Sequence, residues 1–211
     1  DQPGIYAISA GKWREFAFLR RDETNGTYIG EYYLKEKMEI DRPEVAGFFV
    51  GKEKIGSMRG YIWGRTLPLL KNHILLGAGP DTFAYEFPNR DLLAKQYAYA
   101  TPNIIVDKAH NQYLQTFVQN GGVALLAYLA ILLLYIVDCV KLYGFKRQYA
   151  AREWFGLALC LAVFGYMGDT LFIDSCISVA PIFWVLLGVG IAVNRANRKA
   201  QSEIAAGTTA K

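Results

Sequence analysis

The apolar positions of the chain collect in its second half as three long runs. Gly121–Val137 and Ser175–Val193 carry no charged residue, and Trp154–Gly168 continues past Asp169 to Ile173. A helix needs about 17–25 predominantly apolar residues to cross the hydrocarbon layer of a bilayer. The pattern therefore predicts three transmembrane helices, over about 121–140, 154–173 and 175–193. Three such helices buried in a soluble protein would need more covering chain than 211 residues supply.

The charged residues between the runs predict the orientation of these helices. Basic residues gather in the first connection and in the tail: Lys141, Lys146, Arg147, Arg152, Arg195, Arg198 and Lys199. The second connection holds Asp169 and Asp174 but no Lys or Arg. The positive-inside rule then places the first connection and the tail, 194–211, in the cytoplasm. Residues 1–120 are accordingly expected to be extracytoplasmic.

An extracytoplasmic location of residues 1–120 requires a signal that carries them across the membrane. The sequence begins at Asp1, and four basic residues interrupt its first 21 positions, so no signal-peptide core is expected there. We therefore expect earlier transmembrane helices, which makes this sequence the C-terminal part of a larger membrane protein. The isolated chain is expected to be inactive as an enzyme.

The extracytoplasmic part divides into two segments. Residues 1–56 form an insert in which the aromatic-rich runs Trp13–Leu19 and Tyr28–Leu34 flank Asn25-Gly26, a pattern typical of a β-hairpin. Residues 57–120 are expected to be helical. The overall prediction is an all-α polytopic membrane fragment with an extracytoplasmic helical loop domain and a small hairpin insert.

Two polar residues of the second segment are suited to start helices. Ser57 is expected to cap a helix that Pro68 limits or kinks, and Asp107 to cap a last helix that ends at Gly121. On that last helix His110 and Leu114 share a face because they are four residues apart. His73 is expected at the surface.

Composition excludes several classes of protein. The chain is 53% hydrophobic and 20% charged, which is too apolar for a disordered chain. The net charge is +4, and the basic residues do not form one continuous stripe, so nucleic acid is not an expected partner. The three cysteines lack CxxC spacing and only two histidines are present, so neither a metal site nor a cofactor site is expected.

Several short motifs occur in order along residues 57–193. They are Arg59-Gly-Tyr-Ile-Trp63, Leu76-Gly-Ala-Gly-Pro-Asp-Thr-Phe83, Ala109-His-Asn-Gln-Tyr-Leu114 and Asn120-Gly-Gly122 before an apolar run. In this set the chain resembles the C-terminal part of the O-antigen ligase and polymerase-like membrane proteins. Residues 1–56 have no counterpart in the resemblance.

The resemblance implies a fold, a reaction and a location. It implies an all-helical, metal-independent inverting glycosyltransferase of the C type at the outer face of the bacterial cytoplasmic membrane. The donor would be an undecaprenyl-diphosphate-linked glycan, and the acceptor a glycan or a lipid. Ligase and polymerase share these motifs, so both stay open, as does a non-catalytic assembly partner. A transporter would show paired broken helices, and the three runs show none.

The chemistry of such a transfer needs a cation and a base. The departing diphosphate carries negative charge, which the planar fork of an arginine can contact at two oxygens. The proton of the attacking hydroxyl needs an acceptor that titrates near neutral pH, as histidine does. The resemblance assigns these roles to Arg59 and His110. From the residues alone, a helix-capping Arg59 and a packed structural His110 are the commoner cases, and the motif context favours function.

Three further residues are candidates for substrate binding, each with a structural alternative. Arg65 is either a weaker phosphate contact or a surface residue. Asp81 either caps a helix or binds sugar hydroxyls, and the cap is favoured. Asn111 either orients His110 or donates to the glycan. For Asp169 and Asp174 a structural role is favoured.

Overall fold

The computed structural model describes residues 43–209 and four strand segments that precede them in the chain. It divides into two compact units. The first comprises residues 1–73 and 78–109, and the second comprises residues 74–77 and 110–211. The predicted domain boundaries after residues 56, 120 and 193 stay predictions.

The first unit contains a four-stranded antiparallel sheet with strands in chain order: β1 (Ile5–Ala7), β2 (Phe16–Arg20), β3 (Tyr28–Tyr32) and β4 (Glu36–Glu39). In the central pair Phe16 lies opposite Tyr32, and Arg20 lies opposite Tyr28. This pair falls where the sequence pattern predicts two strands. The expected turn at Asn25-Gly26 lies outside the described residues, so the tight turn itself stays a prediction.

The described helical part of the first unit is short and packs around aromatic side chains. Its elements are a 3-10 turn (Gly47–Phe49), α1 (Ile55–Leu69), a second 3-10 turn (Leu70–Asn72), α2 (Phe83–Glu86) and α3 (Leu92–Tyr99). Tyr61 is fully buried, with its ring centroid 5.9 Å from that of Phe87 and 5.5 Å from that of Tyr99. These contacts join α1, α3 and the end of α2 in one core.

Helix α1 begins differently from the prediction. Gly56, Ser57 and Met58 all have positive φ, at 61°, 55° and 70°. An N-cap residue normally has extended backbone, so the prediction that Ser57 caps this helix is wrong. Regular helix starts at Arg59. Pro68 lies near the other end, and the helix ends at Leu69, consistent with the limiting role expected for the proline.

The regular elements of the second unit, in its described residues, are all helices. It contains α4 (Gln112–Asn120), α5 (Gly122–Tyr143), α6 (Ala151–Asp169) and α7 (Ala180–Thr209). Its core lies among the three long helices and is formed by Leu132, Tyr135, Cys139, Leu142, Tyr143, Cys160, Val163, Phe183 and Leu187. Cys139 and Cys160 are buried there as free thiols, whereas Cys176 is exposed.

Two of the described helices, α5 and α7, are long and apolar enough to cross a membrane. Helix α6 does not qualify because Arg152 and Glu153 fall inside its 19 residues. The predicted count of three membrane-spanning helices is therefore not confirmed. The sequence predicts that the third helix begins at Ser175. In the structure α7 begins at Ala180, and Ser175 lies in the preceding loop.

Polar contacts at both ends of the three helices define their directions. At one end Tyr113, just before α5, donates to the carbonyl of Met167 near the end of α6, at 2.8 Å. At the other end Tyr143, the last residue of α5, donates to the amide oxygen of Asn194 on α7 at 2.6 Å. Helices α5 and α7 are thus parallel to each other, and α6 is antiparallel to both.

Candidate functional site

The residue predicted as the base, His110, is paired with a carboxylate. Its Nδ1 lies 3.1 Å from Oδ2 of Asp174, and the two side chains are 47% and 11% exposed. A carboxylate at Nδ1 fixes the tautomer that carries its proton there. Nε2 of the imidazole is then the proton acceptor, on a ring that solvent reaches.

The segment around His110 is held by the connection between α6 and α7. The backbone N–H of Asn111 donates to Oδ1 of Asp174 at 3.2 Å, so one carboxylate contacts two successive residues. The backbone N–H of Gln112 donates to the carbonyl of Thr170 at 2.9 Å, and its side-chain oxygen accepts from Ser175 N at 2.8 Å. These bonds position the imidazole relative to the end of α6 and the connection that leads to α7.

His110 does not lie on the helix that follows it. The prediction that Asp107 caps this helix is wrong, because α4 begins at Gln112 and its N-cap is Asn111. His110 has a φ of 49°, a left-handed conformation that is uncommon for residues other than glycine. Its side chain therefore does not share a helix face with Leu114. Strained backbone of this kind clusters at functional sites.

Asn111 uses its side chain to build this part of the fold. Its Oδ1 accepts from the backbone N–H of Leu114 at 2.9 Å, which caps α4, and its Nδ2 donates to the carbonyl of Leu171 at 2.9 Å. With both ends of the amide engaged, orientation of the neighbouring His110 through the backbone is better supported than donation to a glycan. Its role in substrate binding stays a prediction.

Asp174 is the carboxylate partner of His110 in this cluster. The sequence favours a structural role for it, because it lies near the end of an apolar run where water can solvate a carboxylate, although ionisable residues there are also candidates for function. In the structure most of the side chain is buried against His110 and Asn111. Its partner is far away in sequence, so local pattern held no signal for the pairing.

Arg59 belongs to the first unit and opens the regular part of α1. It is half-buried, and its Nη1 donates to the carbonyl of Gly56 at 2.8 Å. The other motif residues have packing roles. A β-carbon on Gly60 would clash with the carbonyl of Lys52, Tyr61 fills the core, and Trp63 Nε1 donates to the carbonyl of Ala109 at 2.9 Å.

Arg65 is neither at the surface nor exposed to a substrate in this structure. It is buried, and its Nε lies 2.5 Å from Oδ2 of Asp91. Its guanidinium also stacks over the ring of Tyr61, with Cζ 4.1 Å from the centroid. The surface alternative for Arg65 is therefore wrong. The carboxylate of Asp91 compensates the buried charge of Arg65, so no phosphate is needed to do so.

Asp81 and His73 also differ from expectation. Helix α2 has Thr82 as its N-cap and no side-chain capping bond, while Asp81 is exposed with a φ of 56°. The cap interpretation of Asp81 is thus wrong, and the sugar-binding alternative stays a prediction. His73 is buried, not at the surface, and its Nε2 lies 3.1 Å from Oε2 of Glu86.

A buried lysine lies close to the Arg65–Asp91 pair. Lys95 Nζ donates to the carbonyl of Asn89 at 2.6 Å and to its Oδ1 at 2.9 Å. Burial lowers the pKa of Lys95 to about 8, although the charge of Asp91 acts in the opposite direction. Burial also raises the pKa of Tyr61. These buried polar contacts contribute to the stability of the first unit.

The metal-ligating side chains of the described residues form no cluster by position. Among residues 43–203, no three His, Cys, Asp or Glu side chains come together in a group able to hold a metal ion. What the described groups offer chemically is a proton acceptor positioned by a carboxylate in the second unit and a half-buried arginine in the first.

Two helices of the second unit, α5 and α7, have the length and composition needed to cross a membrane. A profile of the O-antigen ligase family matches residues 21–129, more than half of the 211 residues. The chain belongs to the O-antigen ligase family. The match includes residues 21–56, which the resemblance had left unassigned. No curated protein and no solved structure matches the chain.

Family membership sets the class of activity. Proteins of this family are ligases or polymerases of the glycosyltransferase kind, with a lipid-linked glycan donor and a glycan acceptor in a membrane. The matched residues include Arg59 and His110, but Asp174 lies beyond them.

Proposed function

We propose that the protein transfers an undecaprenyl-diphosphate-linked glycan to a surface acceptor at the outer face of the bacterial cytoplasmic membrane. The observation that carries the proposal is the pairing of His110 Nδ1 with Asp174 at 3.1 Å, which presents Nε2 as a base. It fits the ligase or polymerase class of the family.

In the proposed reaction, an acceptor hydroxyl attacks the anomeric carbon of the donor sugar from the side opposite the diphosphate. A carbon–oxygen bond forms to the acceptor, and the bond to the diphosphate oxygen breaks with its electron pair. The hydroxyl proton passes to Nε2 of His110, whose imidazolium Asp174 stabilises. A displacement of this kind inverts the anomeric configuration, and it uses no metal ion.

The leaving diphosphate needs positive charge where its own charge develops. Arg59 is proposed for this role because it opens a helix in the family's Arg-Gly-Tyr-Ile-Trp motif and because the other motif residues already have packing roles. Asp81 is proposed to contact sugar hydroxyls, since its carboxylate is exposed and caps no helix.

We further propose that α6 crosses the membrane together with α5 and α7. Its antiparallel packing against both helices supports this, since polar contacts occur near each end of α6: Tyr113 donates to the carbonyl of Met167, and Asn197 on α7 donates to the carbonyl of Arg152. Every basic residue of the two predicted cytoplasmic segments then falls at the end where α5 meets Asn194. The positive-inside rule makes that end cytoplasmic and places His110 outside.

The test replaces His110 with Ala in the intact protein in its own host. Surface glycan and lipid-linked precursor are measured after membrane expression is confirmed. Loss of surface glycan with accumulation of undecaprenyl-linked glycan is expected, with a rate loss of about 10²–10⁴ for removal of a general base. His73→Ala is the matched control, because that histidine is also paired with a carboxylate at 3.1 Å but lies in the first unit.

The accumulated precursor separates the two activities of the family. Long lipid-linked chains indicate a ligase, and single repeat units indicate a polymerase. Unchanged glycan and precursor in the His110→Ala strain would refute the proposal and favour a non-catalytic assembly partner.

A further inference from the structure

Residues Ile74, Leu75 and Leu76 form an exposed aliphatic segment in the second unit. Their exposed fractions are 61%, 68% and 81%. Three consecutive large aliphatic side chains in this state are unusual on a surface that faces water. The sequence from residue 74 to Pro80 carries no charged residue.

The backbone of this segment packs against the start of the membrane helix α5. A β-carbon on Gly121 would clash with the carbonyl of Leu75, and one on Gly122 would clash with the carbonyl of Ile74. A β-carbon on Gly77 would likewise clash with the backbone of Gln119. The absence of side chains at these glycines allows the two backbones to touch, so the position of the segment relative to α5 is fixed.

The position of α5 determines what surrounds the segment. Helix α5 is apolar enough to cross a membrane, and it begins at Gly122. Its first exposed apolar side chains, Val123 and Leu126, lie within about 6 Å of that start along the helix axis, at about 1.5 Å per residue. Ile74 contacts the first residue of the helix, so the exposed segment is level with this outermost apolar band.

We propose that Ile74–Leu76 inserts into the bilayer beside α5 as an interfacial anchor, with lipid acyl chains as its partner. Aliphatic side chains at this level are stabilised by burial in hydrocarbon, as in monotopic membrane segments. The anchor holds the following Gly-Ala-Gly-Pro turn at the membrane surface. This inference depends on the membrane placement of α5 and does not depend on the proposed reaction.

The test measures the surroundings of a nitroxide spin label at Leu76→Cys in lipid vesicles, in the full chain. Cys176→Ser removes the exposed native thiol, while Cys139 and Cys160 are buried. Oxygen partitions into hydrocarbon and a nickel chelate stays in water, so each broadens the label's spectrum in its own medium. Leu134→Cys on α5 is the lipid reference, and Gln148→Cys in the polar connection between α5 and α6 is the water reference, since both side chains are exposed.

The proposal predicts that the label at Leu76 is broadened by oxygen more than by the nickel chelate, as at Leu134. A label broadened mainly by the chelate, as at Gln148, would overturn it. Weak broadening by both agents would also overturn it, because protein would then cover the segment. Leu75→Cys repeats the measurement at a neighbouring exposed position.

Discussion

Asp174 contacts His110 and Asn111 with one carboxylate: Oδ2 lies 3.1 Å from His110 Nδ1, and Oδ1 accepts the Asn111 backbone N–H at 3.2 Å. The same side chain therefore positions a candidate base and supports the first turn of α4. Any loss of this carboxylate affects the orientation of the imidazole directly.

Replacement of Asp174 by Asn is expected to lower glycan transfer by at least about tenfold. An amide can keep the shape of the side chain, but it no longer stabilises the imidazolium that forms during transfer. The measurement is surface glycan and lipid-linked precursor in the intact protein, alongside the thermal midpoint of the purified variant. Partial recovery of glycan transfer in Asp174→Glu, compared with Asp174→Asn, would show that the negative charge matters more than the shape of the side chain.

Asp169→Asn is the matched control for this variant, because Asp169 is a carboxylate at the end of α6, five residues before Asp174, and is exposed. It is expected to retain transfer. Equal losses at the two positions, or a loss at Asp174 explained by lower stability alone, would contradict the positioning role.

Removal of Arg65 is expected to destabilise the first unit by about 3–5 kcal/mol, because Asp91 would remain as an uncompensated buried charge. Arg65→Met combined with Asp91→Asn should cost less, since no buried charge is left. The measurement is limited proteolysis of the first unit across a temperature series in detergent. A stable Arg65→Met protein that lacks glycan transfer would instead support the phosphate interpretation of Arg65.

Lys95 is expected to make the first unit more stable as the pH rises from about 8 to about 10. Its pKa in the fold is about 8, below the value of about 10.4 for an exposed lysine, so the unfolded chain holds more protons in this range. The gain is limited to about 1.4 kcal/mol per pH unit. Above about pH 10 stability should fall again, because the raised pKa of Tyr61 makes the unfolded state release its proton first.

The measurement for Lys95 is the midpoint of thermal proteolysis at several pH values between 7 and 11, for the original protein and for Lys95→Met. The rise between about pH 8 and 10 should disappear in the variant. An unchanged pH profile would show that another group is responsible.

Gly60→Ala is expected to destabilise the first unit by about 1–3 kcal/mol, since its β-carbon would clash with the carbonyl of Lys52. Gly47→Ala is the control in the same unit, because nothing lies within 4 Å of a β-carbon there. Thermal proteolysis of both variants tests the difference. Equal stability of the two variants would contradict the close approach at Gly60.

Elements with a strong local pattern could be predicted from the sequence. The long apolar runs predict α5, α6 and α7 because a helix of that length needs no information from elsewhere in the chain. The start of α4 could not be predicted in the same way. Asp107 and Asn111 are both good caps locally, and the choice between them follows contacts of Asn111 with Leu171 and Asp174.

The candidate site likewise has a part that local sequence predicts and a part that depends on distant contacts. The motifs identify Arg59 and His110, but the partners of charged residues are distant in sequence. Arg65 pairs with Asp91, and His73 pairs with Glu86, so two residues expected at the surface are buried. Such pairings cannot be predicted from residue type and local spacing, because the two partners are distant in sequence.

Helix α7 has a consequence for the lipids around it. Its continuous apolar part, from Ala180 to Val193, is about 21 Å long at about 1.5 Å per residue. The next positions include Asn194 and Asn197, both buried and bonded to α5, so the helix cannot slide to place more apolar length in the bilayer. A hydrocarbon layer of about 30 Å exceeds this length by about 9 Å. In a bilayer crossed by α7, local thinning or snorkelling by Arg195 and Arg198 would absorb the mismatch.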